Sequence, residues 1–125
     1  MDTGGIMSLS NIVQRGWEAV AAGDFDSLVI DYEDNMVFVM PGQGNVLEGR
    51  QAFRSALDSL GQILPPGFSI NSIRQIEGTN EVVSIVEWTS DKISSSQLAV
   101  LFKFNGEKIF EERWFIDTEQ WKSAF

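Results

Sequence analysis

Residues 97–117, QLAVLFKFNGEKIFEERWFID, decide the fold. Two apolar segments, Gln97 to Phe104 and Lys108 to Asp117, flank Asn105-Gly106. Asn-Gly between apolar runs is the strongest short-range hairpin signal, because both residues tolerate the positive φ of a tight turn. Toward the N-terminus the same period of two continues. Glu81 to Thr89 is rich in β-branched residues, and Ser69 to Gly78 precedes it. The links are short: Thr79-Asn80, then the polar run Ser90 to Ser96. Four strands joined this closely predict an antiparallel meander.

Upstream of Ser69 the period changes. Leu9, Ile12, Val13, Trp17, Val20 and Ala21 fall at helical spacing, and Gly23-Asp24 closes that helix. Asp24 or Asp26 can cap a second, short helix ending near Tyr32. Met36 to Met40 reads as a short strand stopped by Pro41-Gly42-Gln43-Gly44. A third helix follows Gly49, with Phe53, Ala56, Leu57, Leu60 and Leu64 on one stripe and Pro65-Pro66-Gly67 at its end. Helices gathered ahead of a meander give an α+β architecture, a curved antiparallel sheet around a helical layer. The 125 residues are expected to form a single domain, with residues 1–7 as a lead-in.

Composition narrows the chemistry. The chain has no Cys and no His. Disulfides, thiolate nucleophiles, Cys-based zinc sites, Ser-His-Asp triads and imidazole bases are therefore excluded. Proton transfer is left to carboxylates, Lys, Arg, the single Tyr32 or water. No acidic cluster has metal-ligand spacing, and Gly42-Gln43-Gly44 is not a dinucleotide fingerprint, so neither metal nor cofactor is expected. Nine Lys and Arg against 18 Asp and Glu give a formal net charge of −9, with no basic run for nucleic acid or an anionic membrane. The start of the chain lacks a basic signal-peptide n-region, and Leu98 to Phe102 is far shorter than the ~18 residues of a membrane span. The default expectation is a cytoplasmic protein.

The order of elements resembles the cone-shaped fold of the nuclear transport factor 2-like superfamily, in which a cystatin-like curved sheet wraps three N-terminal helices. The pieces that carry the resemblance are Ala22 to Leu28 as the helix-to-helix turn, Tyr32 to Phe38 approaching the first strand, and Pro41 with Gly49 to Phe53 leading into the third helix. Gly106 to Ile109 with Asp117 resembles the last strand of SnoaL-like polyketide cyclases. Set against ketosteroid isomerases, the same resemblance puts the oxyanion-hole tyrosine on Gly16, the general-base aspartate on Met40 and the protonated aspartate on Val100. All three catalytic groups are lost. Set against the cyclases, it implies an acid/base aspartate at Asp117, and Glu112 stands where those proteins often carry histidine. The Asp-Arg-Asp set of limonene epoxide hydrolases has no counterpart, and scytalone dehydratase chemistry needs histidine.

Strand alternation supplies an independent set of lining candidates. If Phe38 and Met40 point inward, Val83, Ile85 and Glu87 are expected beside Leu98, Val100 and Phe102. On the last strand a two-residue Asn105-Gly106 turn favours Ile109, Glu111, Arg113 and Phe115, whereas a longer loop with a bulge favours Phe110, Glu112 and Trp114. The second set makes the better hydrophobic wall and is the expected one. Trp17 on the covering helix joins it. Glu112 and Glu87 are then carboxyl groups facing an apolar cavity, where lost solvation raises their pKa toward the range of proton shuttling. The other face, with Val82, Val86, Trp88, Leu101 and Lys103, is expected to pair two copies of the chain. The reading is a SnoaL-like protein that binds a small hydrophobic molecule, with Glu112, Asp117 or Glu87 moving a proton in a cofactor-independent isomerisation, cyclisation or dehydration. A non-catalytic ligand-binding or dimerisation module is the alternative.

Overall fold

The computed structural model describes residues 8–40 and 45–125; the expected lead-in and the Pro41–Gly44 turn lie outside them. The first helix, α1 (Leu9–Ala22), begins where the Ser8 side chain accepts from the Asn11 N–H. It ends on Gly23, whose φ of 71° lets its N–H return to the Ala19 and Val20 carbonyls. Asp24 caps the short α2 (Phe25–Val29) through the Ser27 N–H. The first strand, β1 (Tyr32–Met40), starts four residues earlier than the apolar run Met36–Met40 suggests. A short β2 (Asn45–Glu48) follows, unforeseen because Asn45 to Glu48 has no alternation long enough to read.

The expected third helix breaks into α3 (Arg50–Leu57) and α4 (Leu60–Ile63). Asp58 and Ser59 interrupt an apolar stripe that is otherwise continuous, and α4 has no side-chain cap. The meander is β3 (Ser69–Glu77), β4 (Glu81–Thr89), β5 (Ser96–Asn105) and β6 (Lys108–Phe115). A terminal helix, α5 (Thr118–Ser123), closes the chain.

The six strands form one sheet in the order β2-β1-β6-β5-β4-β3. Every pair is antiparallel except β1 with β6, so the sheet is mixed. The first and last strands of the chain, β1 and β6, are thus neighbours in the sheet. The helices cover the concave face, α1 against β3 and β4, α3 against β1 and β2. This is the expected α+β architecture.

Two registers fix which side chains reach the interior. Along β4 and β5, Val82 pairs with Phe102, Ser84 with Val100 and Val86 with Leu98. Paired residues share a face, and Val82, Ser84, Val86 and Trp88 are buried with Leu98, Val100 and Phe102. The expected phase of β4 is therefore inverted. Val83, Ile85 and Glu87 lie on the outer face, while Val82, Val86 and Trp88 lie on the inner one. The strand EVVSIVEWT is apolar on both faces, so alternation alone could not choose. Ser84 in the interior is what alternation disguised.

The β5–β6 hairpin turns on Gly106-Glu107 rather than on the expected Asn105-Gly106, and a bulge follows it. Asn105 pairs with Lys108 and Phe104 with Ile109, a two-residue connection that turns Ile109 inward. A bulge then inserts Phe110, after which Glu112 pairs with Phe102 and Trp114 with Val100. Ile109, Glu112 and Trp114 thus face the same side, and Phe110 does not join them.

Candidate functional site

The concave face and the helices enclose a cavity of about 530 Å³. Its wall is almost wholly apolar, with Trp17, Tyr32, Phe38, Phe53, Phe102 and Trp114 supplying aromatic surface. Ring centroids lie 4.9 Å apart for Tyr32–Phe53, 5.5 Å for Phe38–Phe53 and 6.4 Å for Phe38–Trp114 and Trp17–Trp114. These rings make a continuous band. Val46, Ile63 and Phe125 line the cavity while remaining exposed, which marks an apolar mouth.

Glu112 sits on this wall with only 6% of its surface exposed. Its Oε1 accepts from the Tyr32 hydroxyl and its Oε2 from the Trp114 indole N–H at 2.8 Å. Parallel pairing places Phe38 beside Glu112 on the neighbouring strand. Burial lifts the Glu112 carboxyl above its ordinary pKa, and the two donors pull it partly back. Burial and the neighbouring Glu112 charge hold Tyr32 well above the usual phenol value. Among the described residues no Lys or Arg is bonded to these two side chains: Arg113 bonds to Glu111 at 3.0 Å, and Arg50 reaches only the Tyr32 carbonyl at 3.3 Å. Asp31 also lines the cavity and is held from outside by Arg15 at 2.6 Å.

Trp17 is fixed by a second polar chain. Its indole N–H donates to Ser84 Oγ at 3.0 Å, and Ser84 donates onward to Gln75. The fully buried Ser84 is thus satisfied on both sides.

The sequence candidates divide cleanly. Glu112, Trp17, Phe38, Met40, Phe102 and Trp114 are brought together on the cavity wall. Leu98 and Val100 are on the inner face but packed away in the core. Val83, Ile85 and Glu87 are on the outer face, where Glu87 accepts from Ser72 at 2.5 Å. Phe110 is displaced by the bulge. Asp117 is exposed at the N-cap of α5, accepting from the Gln120 N–H, because a helix rather than further strand follows Ile116. Tyr32, the single tyrosine, is the phenol that meets Glu112. Tyr32, Met36 and Met40 are the buried positions of β1, but the register shifts between Tyr32 and Val37, so simple alternation does not carry through to Tyr32. Among the described residues, no three acidic side chains come close enough to hold a metal ion. No helix among them is long and apolar enough to cross a membrane.

Residues 13–112 match the SnoaL-like domain family, and the chain belongs to it. Solved structures share the fold. Bal32a from a soil-derived mobile gene cassette is 19% identical with a TM-score of 0.78, covering 93% of this chain and 95% of its own. An NTF2-like protein from Burkholderia xenovorans LB400 is 15% identical with a TM-score of 0.76, covering 96% and 98%. A candidate polyketide cyclase from Xanthomonas campestris pv. campestris is 18% identical with a TM-score of 0.72, covering 93% and 95%. No curated protein matches the sequence significantly.

Proposed function

We propose that this SnoaL-like domain binds a small, mostly hydrophobic molecule in the aromatic cavity and that Glu112 moves a proton on it without a cofactor. The reaction classes that fit are isomerisation, cyclisation and dehydration. One observation carries the reading: a carboxyl group is buried on the wall of an apolar cavity with no cation beside it, its pKa raised. A carboxylate freed from water accepts a proton from carbon or oxygen more readily than one in solution.

A non-catalytic binder is the second reading, and a specific feature favours it. Every indole and phenol donor on the wall is engaged within the protein, so none is free to stabilise an oxyanion. Hydrogen–deuterium exchange at the α-carbons of 2-tetralone in D₂O, followed by NMR, separates the two. Base catalysis predicts accelerated exchange that falls about 10²–10⁴-fold in Glu112→Gln. Exchange equal in both proteins leaves binding alone.

The outer sheet face supports a second proposal, a homodimer of this chain. Val83, Ile85, Ala99 and Leu101 are only partly covered there, and Ile76 and Phe115 are each 49% exposed. Lys103, Glu111 and Arg113 lie among them, both signs of charge on one face, which suits self-pairing about a two-fold axis. Sedimentation equilibrium should show a dimer that Leu101→Arg converts to monomer at micromolar concentration. A monomeric parent protein overturns the assignment.

A further inference from the structure

The polar end of the cavity has a direction. Trp17 Nε1 points to Ser84, while the Tyr32 hydroxyl and Trp114 Nε1 both point to Glu112. What remains for a guest away from the mouth is lone pairs, those of Glu112 and the Tyr32 oxygen; Arg15 holds both Asp31 oxygens, and the Gln62 amide lies on the exposed part of the lining. No Lys or Arg is among the lining residues, and the stretches outside the described residues contain none in sequence. Glu112 is therefore a carboxyl group on an aromatic wall with no Lys or Arg beside it, while Asp31 is already paired with Arg15.

From this geometry we infer that the guest is a hydrophobic amine, bound in its protonated form with the ammonium group on Glu112. An ammonium supplies the N–H donors the wall lacks. It offsets a buried charge that Tyr32 and Trp114 only partly satisfy, since an unpaired charge in an apolar site is costly. Tyr32, Phe38, Phe53 and Trp114 line the cavity, and aromatic rings attract a desolvated cation. The net charge of −9 raises the local concentration of cations outside the mouth. The same features disfavour acids: a carboxylate or phosphate guest would meet the Glu112 carboxyl group, with the Gln62 amide on the exposed part of the lining as its donor. This inference rests on the ligand-binding reading of the cavity and holds whether or not a reaction follows.

Three probes of one shape test it: 2-naphthylmethylamine, 2-naphthylmethanol and 2-naphthoic acid, titrated calorimetrically against the full chain at pH 7.5. The amine should bind at least tenfold more tightly than the alcohol, and the acid more weakly than either. In Glu112→Gln the side-chain amide can donate to the Tyr32 oxygen, which frees the phenolic hydrogen toward the cavity. That variant should lose the amine preference and bind the alcohol as well as or better than the amine. Tyr32→Phe keeps the carboxylate and should keep the preference, so a fold lost in one variant leaves the other informative. Equal binding of amine and alcohol by the parent protein, or an amine preference that survives Glu112→Gln, overturns the inference while the cavity reading stands. Failure of all three probes to bind folded protein overturns the cavity reading and the inference together.

Discussion

Trp121→Ala is expected to lower the unfolding free energy by about 3–5 kcal/mol, the usual cost of truncating a buried tryptophan. Trp121 is 1% exposed and meets Trp88 at 5.4 Å, Phe68 at 5.9 Å, Phe125 at 6.0 Å and Trp114 at 6.5 Å between ring centroids. It is the one fully buried side chain of α5, so its loss detaches the helix from the sheet as well as opening a void. For a domain of this size the midpoint of thermal unfolding should fall by roughly 10–20 °C. Trp121→Phe separates packing from polarity. The Trp121 indole N–H is buried without a hydrogen-bond partner, so phenylalanine gives up area but also removes an unsatisfied donor. Its cost should be well under half that of alanine. A Trp121→Ala protein within 1 kcal/mol of the parent would show that α5 contributes nothing to the fold. The effect also reaches the site, because Trp114 packs edge-to-face with Trp121 and donates its N–H to Glu112.

That helix illustrates where the sequence stopped speaking. DTEQWKS holds one large apolar residue, and a six-residue helix offers no periodicity to recognise. It exists because Asp117 caps it and because tertiary burial of Trp121 supplies what local propensity does not. The long elements were legible for the opposite reason. In α1, the Ser8 cap, an apolar stripe and Gly23 all agree, and in the meander the turn residues agree with the alternation. Agreement between levels is what makes a segment readable.

Facing was the harder problem. An error of one residue exchanges the two faces of a strand, and it befell β4 because Val82, Val86 and Trp88 compete with Val83 and Ile85. In β6 the bulge at Phe110 changes phase in mid-strand, and no local composition marks it. After the bulge the phase matches the bulged alternative, which puts Glu112 on the cavity wall. The partner that defines its chemistry, Tyr32, comes from 80 residues away through a parallel pairing between the first and last strands. Sequence alternation sees only neighbours, so a pairing of that range stayed invisible.

Glu112→Leu should be more damaging to stability than its small change in volume suggests. Leucine is close to isosteric and keeps water from entering, so the Tyr32 hydroxyl and the Trp114 N–H both lose their acceptor. At about 1–3 kcal/mol for each buried donor left unpaired, the cost is about 2–6 kcal/mol, reduced by relief of the buried carboxyl itself. Pairing it with Tyr32→Phe should recover part of that loss, because the second change removes one of the two orphaned donors, and a double-mutant cycle reads the coupling directly. Glu112→Gln keeps an acceptor for Trp114 and a donor for the Tyr32 oxygen, so its effect should be smaller and should depend on pH. The folded-state pKa of Glu112 lies above its ordinary value. In the window between the two, the native protein holds a proton that the unfolded chain has released, so this group's contribution is full below the window and lost as pH rises through it. Glutamine does not titrate. Relative to the parent protein, Glu112→Gln should therefore gain stability as pH rises from the ordinary Glu pKa of about 4.3 through the raised folded-state value, measured by denaturant unfolding at each pH. A difference that stays flat across that range, or that moves the other way, would mean Glu112 is already ionised in the folded protein at acid pH. The two donors from Tyr32 and Trp114 would then outweigh burial, and the carboxylate would be a poorer base than its surroundings imply.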